Sequence, residues 1–288
     1  MHIMEKIDAH KSFGGWQNRY AHDSAVCDCS MTFAVYLPPQ AQQGPVPAVY
    51  YLSGLTCTDE NFVQKAGAQR LAAELGIALI APDTSPRGHG LPGEDDEYDF
   101  GTGAGFYVNA TQAPWAGKYN MYDYVTRELP GVIAEGFGDV IDAGRVSIMG
   151  HSMGGHGALV IALRNPGVYQ SVSAFSAICA PSRVPWGEKA LGGYLGDDKA
   201  AWAQYDATAL VESGHRFDGM PTPLLDQGLA DDFLETHLRP DMLEQACQAA
   251  GVDLTLRRHE GYDHSYFFIA SFIDDHLKHH ARALLGHG

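Results

Sequence analysis

Cations are scarce in this chain. Lys and Arg together number 19 against 35 Asp and Glu, a formal charge of −16. Such a balance repels phosphate backbones and excludes an electrostatic nucleic-acid binder. Cysteine is scarce as well. Cys27, Cys29, Cys57, Cys179 and Cys247 make an odd, widely spaced set, which argues against a disulfide framework and for reduced thiols in a cytoplasm. Cys27 and Cys29 form a C-x-C pair without a second Cys or His pair at zinc-finger spacing, so no metal site is expected. Long apolar runs are missing. The best, over residues 77–82, is far too short to span a bilayer. The opening Met1-His2-Ile3-Met4-Glu5-Lys6 leads into no apolar stretch, so no secretory signal is expected.

What is present is an ordinary globular composition, 45% apolar over 288 residues. That length suits a single α/β domain. Short β-rich runs bounded by Gly, Pro and Asp predict strands at 32–37, 48–53, 77–83, 146–150, 172–177, 224–227 and 252–257. Helices are predicted at 61–75, 119–133, 154–164, 240–250 and 265–285. This alternation implies an α/β fold with a mostly parallel central sheet and helices on both faces. One stretch breaks the rhythm. Residues 88–105 hold Gly88, Gly90, Gly93, Gly101, Gly103 and Gly105, with a run of acids inside. Long irregular connections of this kind are often functional. The stretch is no phosphate loop, because it lacks the Lys-Ser/Thr ending.

Gly150-His151-Ser152-Met153-Gly154 reads G-x-S-x-G, the nucleophile-elbow pattern. The pattern is short, and its context gives it weight. A buried strand precedes it, and a helix that ends at Asn165-Pro166 follows. Strand, sharp turn and helix would project Ser152 from the turn and aim the helix N–H groups at developing negative charge.

A serine needs a base, and the base needs an orienting acid. In this fold the chain order is Ser, acid, His. His264 lies in a loop between the strand at 252–257 and the last helix, where α/β sites are built. His276, His279 and His280 fall within that helix and are expected to be solvated. The loop after the strand at 224–227 offers Asp226, Asp231 and Asp232, and position alone does not choose among them. The loop residues reach a histidine more easily than the strand-end Asp226. The oxyanion donors are expected at the backbone amides of Met153, which follows the nucleophile, and Leu55, which follows an early strand and Gly54.

Several longer segments resemble the S-formylglutathione hydrolase (esterase D) family. They include Phe13-Gly14-Gly15, residues 33–39, Leu52-Ser53-Gly54-Leu55-Thr56-Cys57-Thr58, residues 81–88, residues 99–107, residues 150–158 and residues 260–266. The resemblance runs nearly the length of the chain. It implies an α/β-hydrolase fold and hydrolysis of S-formylglutathione to glutathione and formate in formaldehyde detoxification, with side activity on small esters. It also selects Asp231, two residues before Phe233, as the acid. It marks Cys57 as a thiol near the site and Trp186 as a border of the acyl pocket. It implies a homodimer, a small-molecule substrate, and no metal or organic cofactor. A general small-acyl carboxylesterase is the alternative. Arg87 and Lys118 are the expected counter-charges for the carboxylates of glutathione.

Overall fold

The computed structural model describes residues 4–286. Nine strands form one sheet in the order β1-β2-β3-β5-β4-β6-β7-β8-β9. They are β1 Met4–Ser12, β2 Gly15–Ser24, β3 Cys29–Leu37, β4 Val46–Leu52, β5 Ala78–Pro82, β6 Ile141–His151, β7 Val172–Phe175, β8 Leu224–Gly228 and β9 Thr255–His259. The first three strands and β5 pair antiparallel. From β5 through β9 every pairing is parallel.

The strand pleat divides the core in two. Ala48, Tyr50 and Leu52 of β4 join one apolar cluster, with Leu159, Ile161 and Leu163 of the helix Met153–Arg164. Val49 and Tyr51, the alternate residues, join the other, with Phe62, Leu71, Phe268 and Ile273. Residues i and i+2 share a sheet face, so a strand buried on both faces needs the continuous apolar run seen here. Among the described residues no helix is long and apolar enough to cross a membrane.

Three departures from the sequence expectations bear on the site and its surroundings. The helix predicted at 61–75 is two helices, Asp59–Lys65 and Gln69–Leu75, separated by Gly67 at φ +71°. The capping box of Thr58 and Asn61 starts the first of them. Strands β1 and β2 were not anticipated: β1 is almost wholly exposed, and the buried positions of β2 include the polar Asn18, His22 and Ser24. The third departure is the last helix, Tyr266–Leu285, where His276 and His280 are fully buried rather than solvated. The apolar stripe Ile269, Ile273, Leu277, Ala281 and Leu284 faces the sheet, and both histidines fall on that stripe at helical spacing. The sheet supplies their partners. His276 Nδ1 is 2.8 Å from Ser173 Oγ, and His280 bonds Ser173 and Ser171, both at 2.8 Å. His279, beside them, is only partly buried.

Candidate active site

Ser152 stands between β6 and the helix Met153–Arg164, with φ +58° and ψ −119°. Such angles are strained for a residue with a Cβ and cost roughly 1–3 kcal/mol. Its neighbours hold it there. Ser152 N–H donates to Phe175 O at 2.9 Å, and Ser152 O accepts from His156 N–H at 3.0 Å. Gly154 is required by close approach, since a Cβ there would stand 1.9 Å from Leu52 O. That contact brings the first helical turn against the end of β4, where the Gly54-Leu55 turn begins.

His264 lies in the loop after β9, and its Nε2 is 3.0 Å from Ser152 Oγ. On the other side of the ring, Nδ1 is 2.6 Å from Asp231 Oδ2. An ionised carboxylate only accepts, so it selects the tautomer with a proton on Nδ1 and leaves Nε2 to accept from the serine hydroxyl. Asp231 is buried and itself fixed. Gln227 Nε2 donates to Oδ2 at 3.3 Å and Phe233 N–H donates to Oδ1 at 2.9 Å.

The other two acids are placed apart from this chain. Asp226 is no strand-end turn residue. It is buried within β8, where Arg257 grips it with Nε and Nη2 at 2.6 Å each. Burial alone would raise its pKa, but hydrogen bonds from His276 and Arg257 and their charges outweigh burial and hold it well below the usual range. Asp232 is exposed.

A cavity of about 190 Å³ opens onto Ser152 and His264. Leu55, Cys57, Tyr98, His151, Trp186 and Phe233 help to wall it. Leu55 N–H has no hydrogen-bond acceptor among the described residues, and Met153 begins the nucleophile helix, whose first N–H groups lack intrahelical partners. Cys57 lies at the wall, and burial pushes its thiol pKa up, so the thiolate is disfavoured. Trp186 stacks on His237 at 3.9 Å and packs on Phe233, whose ring meets His264 edge-on at 5.1 Å.

Neither expected counter-charge lines this cavity. Arg87 donates to both Asp83 oxygens, at 2.8 and 2.9 Å, and to Cys57 O at 3.2 Å. Its charge is therefore matched inside the protein. A wider cleft of about 580 Å³ lies elsewhere, beside Arg183, Arg216 and Arg239. Two of these cations pair with Glu212 and Asp241, and the cleft contains none of the Ser152 constellation.

Sequence reasoning passed over two wall residues. His151 sits inside the elbow motif, buried, with its ring 4.6 Å from that of His264. Burial, and then the nearby His264, push its pKa well down, so it faces the base as a neutral ring. Tyr98 belongs to the glycine-rich stretch, whose unusual length was its only signal.

Residues 24–279 match the Esterase family profile, described as "Putative esterase". S-formylglutathione hydrolase of Rattus norvegicus is 54% identical over 284 residues, covering 98% of this chain and 99% of the rat protein. The Mus musculus S-formylglutathione hydrolase gives the same identity and coverage. The solved S-formylglutathione hydrolase of Agrobacterium tumefaciens superposes with a TM-score of 0.94 at 52% identity, covering 97% of this chain and 99% of that one.

Proposed function

Because the chain belongs to the S-formylglutathione hydrolases of the Esterase family, we propose that it cleaves the formyl thioester of S-formylglutathione to glutathione and formate. One observation carries the chemical reading. Ser152, His264 and Asp231 form a continuous hydrogen-bonded chain at 3.0 and 2.6 Å beside a small apolar cavity.

In this reading Ser152 Oγ attacks the formyl carbonyl while His264 Nε2 takes its proton. Asp231 keeps Nδ1 protonated and stabilises the imidazolium. The amides of Leu55 and Met153 receive the oxyanion; such a donor typically contributes about 3–4 kcal/mol to the transition state. The imidazolium returns its proton to the sulfur as the C–S bond breaks, and glutathione leaves as the thiol. Water then attacks the formyl-serine, gives its proton to His264, and formate departs as Ser152 Oγ is reprotonated. No step calls for a metal or organic cofactor. Cytoplasmic location and a homodimer belong to the same proposal.

The test is turnover of S-formylglutathione by wild type and by Ser152→Ala. The wild type is expected to release formate and thiol in equal amounts, and Ser152→Ala to lose nearly all of that rate. A wild type that cleaves simple esters but ignores this thioester would remove the substrate assignment. Full activity in Ser152→Ala would remove the mechanism.

A further inference from the structure

The glycine-rich excursion places one side chain at the cavity, and neither the hydrolytic chemistry nor the resemblance uses it. Tyr98 lines the wall although the residue is 59% exposed. Its hydroxyl accepts from Trp186 Nε1 at 3.1 Å, and the two rings meet edge to face at 83°. The flanks of Tyr98 are tied down. Lys189 Nζ bonds Glu97 on one side and Asp99, at 2.5 Å, on the other. Trp186 and Lys189 are three residues apart on the helix Pro185–Leu195, so one helix face reaches the whole tip. The base of the excursion is fixed as well. Phe100 stacks on Tyr194 at 4.6 Å, and buried Glu94 accepts from Tyr119 Oη at 2.9 Å. Without Lys189, the acids Asp95, Asp96, Glu97 and Asp99 would repel one another at this tip. Asp99 is only 13% exposed, which shields that half of the latch from salt.

We propose that Tyr98, latched over the cavity by Lys189 and braced on Trp186, is a specificity-determining residue that limits the size of the acyl group. This rests on the hydrolase reading above. The acyl side is indicated by the wall itself. No Lys or Arg lines the cavity, so it offers nothing to the two carboxylates of a glutathione leaving group, and its carbon surface suits a small acyl chain. Tyr98 forms part of the outer wall; ion pairs hold the backbone on both sides of it, and the ring cannot swing aside without losing its hydrogen bond and edge-to-face contact with Trp186.

The experiment compares kcat/KM on S-formyl-, S-acetyl- and S-butyrylglutathione for wild type, Tyr98→Ala, Tyr98→Phe and Lys189→Met. The same acyl series is run on nitrophenyl esters. Removing the ring should raise the butyryl-to-formyl ratio on the order of tenfold, the range that pocket sterics can deliver. Tyr98→Phe keeps the ring and should hold the ratio near wild type. Lys189→Met should shift it in the direction of Tyr98→Ala by a smaller factor. An unchanged ratio in Tyr98→Ala overturns the proposal, as does a Tyr98→Phe shift equal to that of Tyr98→Ala. The nitrophenyl series gives the acyl ratio even if the wild type ignores the glutathione thioester, so failure of the substrate assignment and failure of the Tyr98 role are read separately. Tyr98 is largely exposed, and melting curves that match wild type will show that its variants are folded.

Discussion

His264 Nδ1 lies 2.6 Å from Asp231, while Asp226, five positions upstream, is 2.6 Å from Arg257 and has no bond to that ring. The two carboxylates should therefore fail differently. Asp231→Asn should keep the fold and lose up to about 10⁴-fold in kcat, by analogy with a serine-protease triad whose orienting acid is removed. Asp226→Asn should instead destabilise, by about 1.5–3 kcal/mol, because Arg257 loses its buried charged partner and keeps only the pair with Asp275. Its folded fraction should turn over at a near-normal rate. Chemical denaturation together with active-site-titrated kcat on both variants separates the two outcomes. A larger loss of kcat in Asp226→Asn would reverse the assignment.

Gly54 packs under the nucleophile. A Cβ there would stand 3.0 Å from Ser152 Cβ and 3.2 Å from His151 Nδ1. Gly54→Ala should push the turn that carries the Leu55 amide away from the site. The expected result is a fall in kcat of about 10²–10³, the cost of one lost oxyanion donor, with KM changed far less. Steady-state kinetics with a soluble ester will check it. Gly154→Ala should be worse and should fail to fold, since its Cβ would meet the backbone of Leu52.

Stability should fall as the solution is acidified from neutrality. Burial pushes the pKa of His156 down to about 4 and those of His151 and His280 well down. The unfolded chain protonates such groups near pH 6.5, while the folded chain does not. Their contribution is thus complete above about 6.5 and is lost as pH drops toward the folded values, at no more than about 1.4 kcal/mol per pH unit for each. Urea midpoints at about pH 7.5 and about pH 5 should show the loss. His280→Asn should flatten that slope, whatever it does to stability at neutral pH. An equal slope in the variant would mean that His280 does not carry it.

Arg87→Ala should not raise KM for the glutathione thioester, because Arg87 is bound to Asp83. It should lower kcat instead. Arg87 also donates to Cys57 O, three positions after Gly54, and so steadies the turn that presents the Leu55 amide. A selective rise in KM would restore Arg87 as a substrate contact.

The parallel half of the sheet was legible because β4, β5 and the buried end of β6 are mostly apolar runs between turn residues, as a strand buried on both faces requires. Strand β1 was illegible for the opposite reason: it buries almost nothing. The elbow could be read because Gly150 and Gly154 answer a steric demand that no other residue meets. The buried histidines of the last helix were misread. A titratable side chain looks solvent-seeking in one dimension, and the serines that receive it, Ser171 just before β7 and Ser173 within it, lie about a hundred positions away. Tyr98 was hidden likewise, because its role depends on Lys189 and Trp186, about ninety positions later.

The row of hydrogen bonds linking the last helix to the sheet reaches beyond its own neighbourhood. From His276 it runs through Ser173, His280 and Ser171 to Ser147 on β6, the strand that ends at the nucleophile. The helix it anchors begins two residues after His264. The base is thus aimed from a mooring about three helical turns away. Trimming the chain before His276 would remove no atom of the Ser152–His264–Asp231 constellation, yet it would cut the mooring that helps to set the direction from which the imidazole arrives.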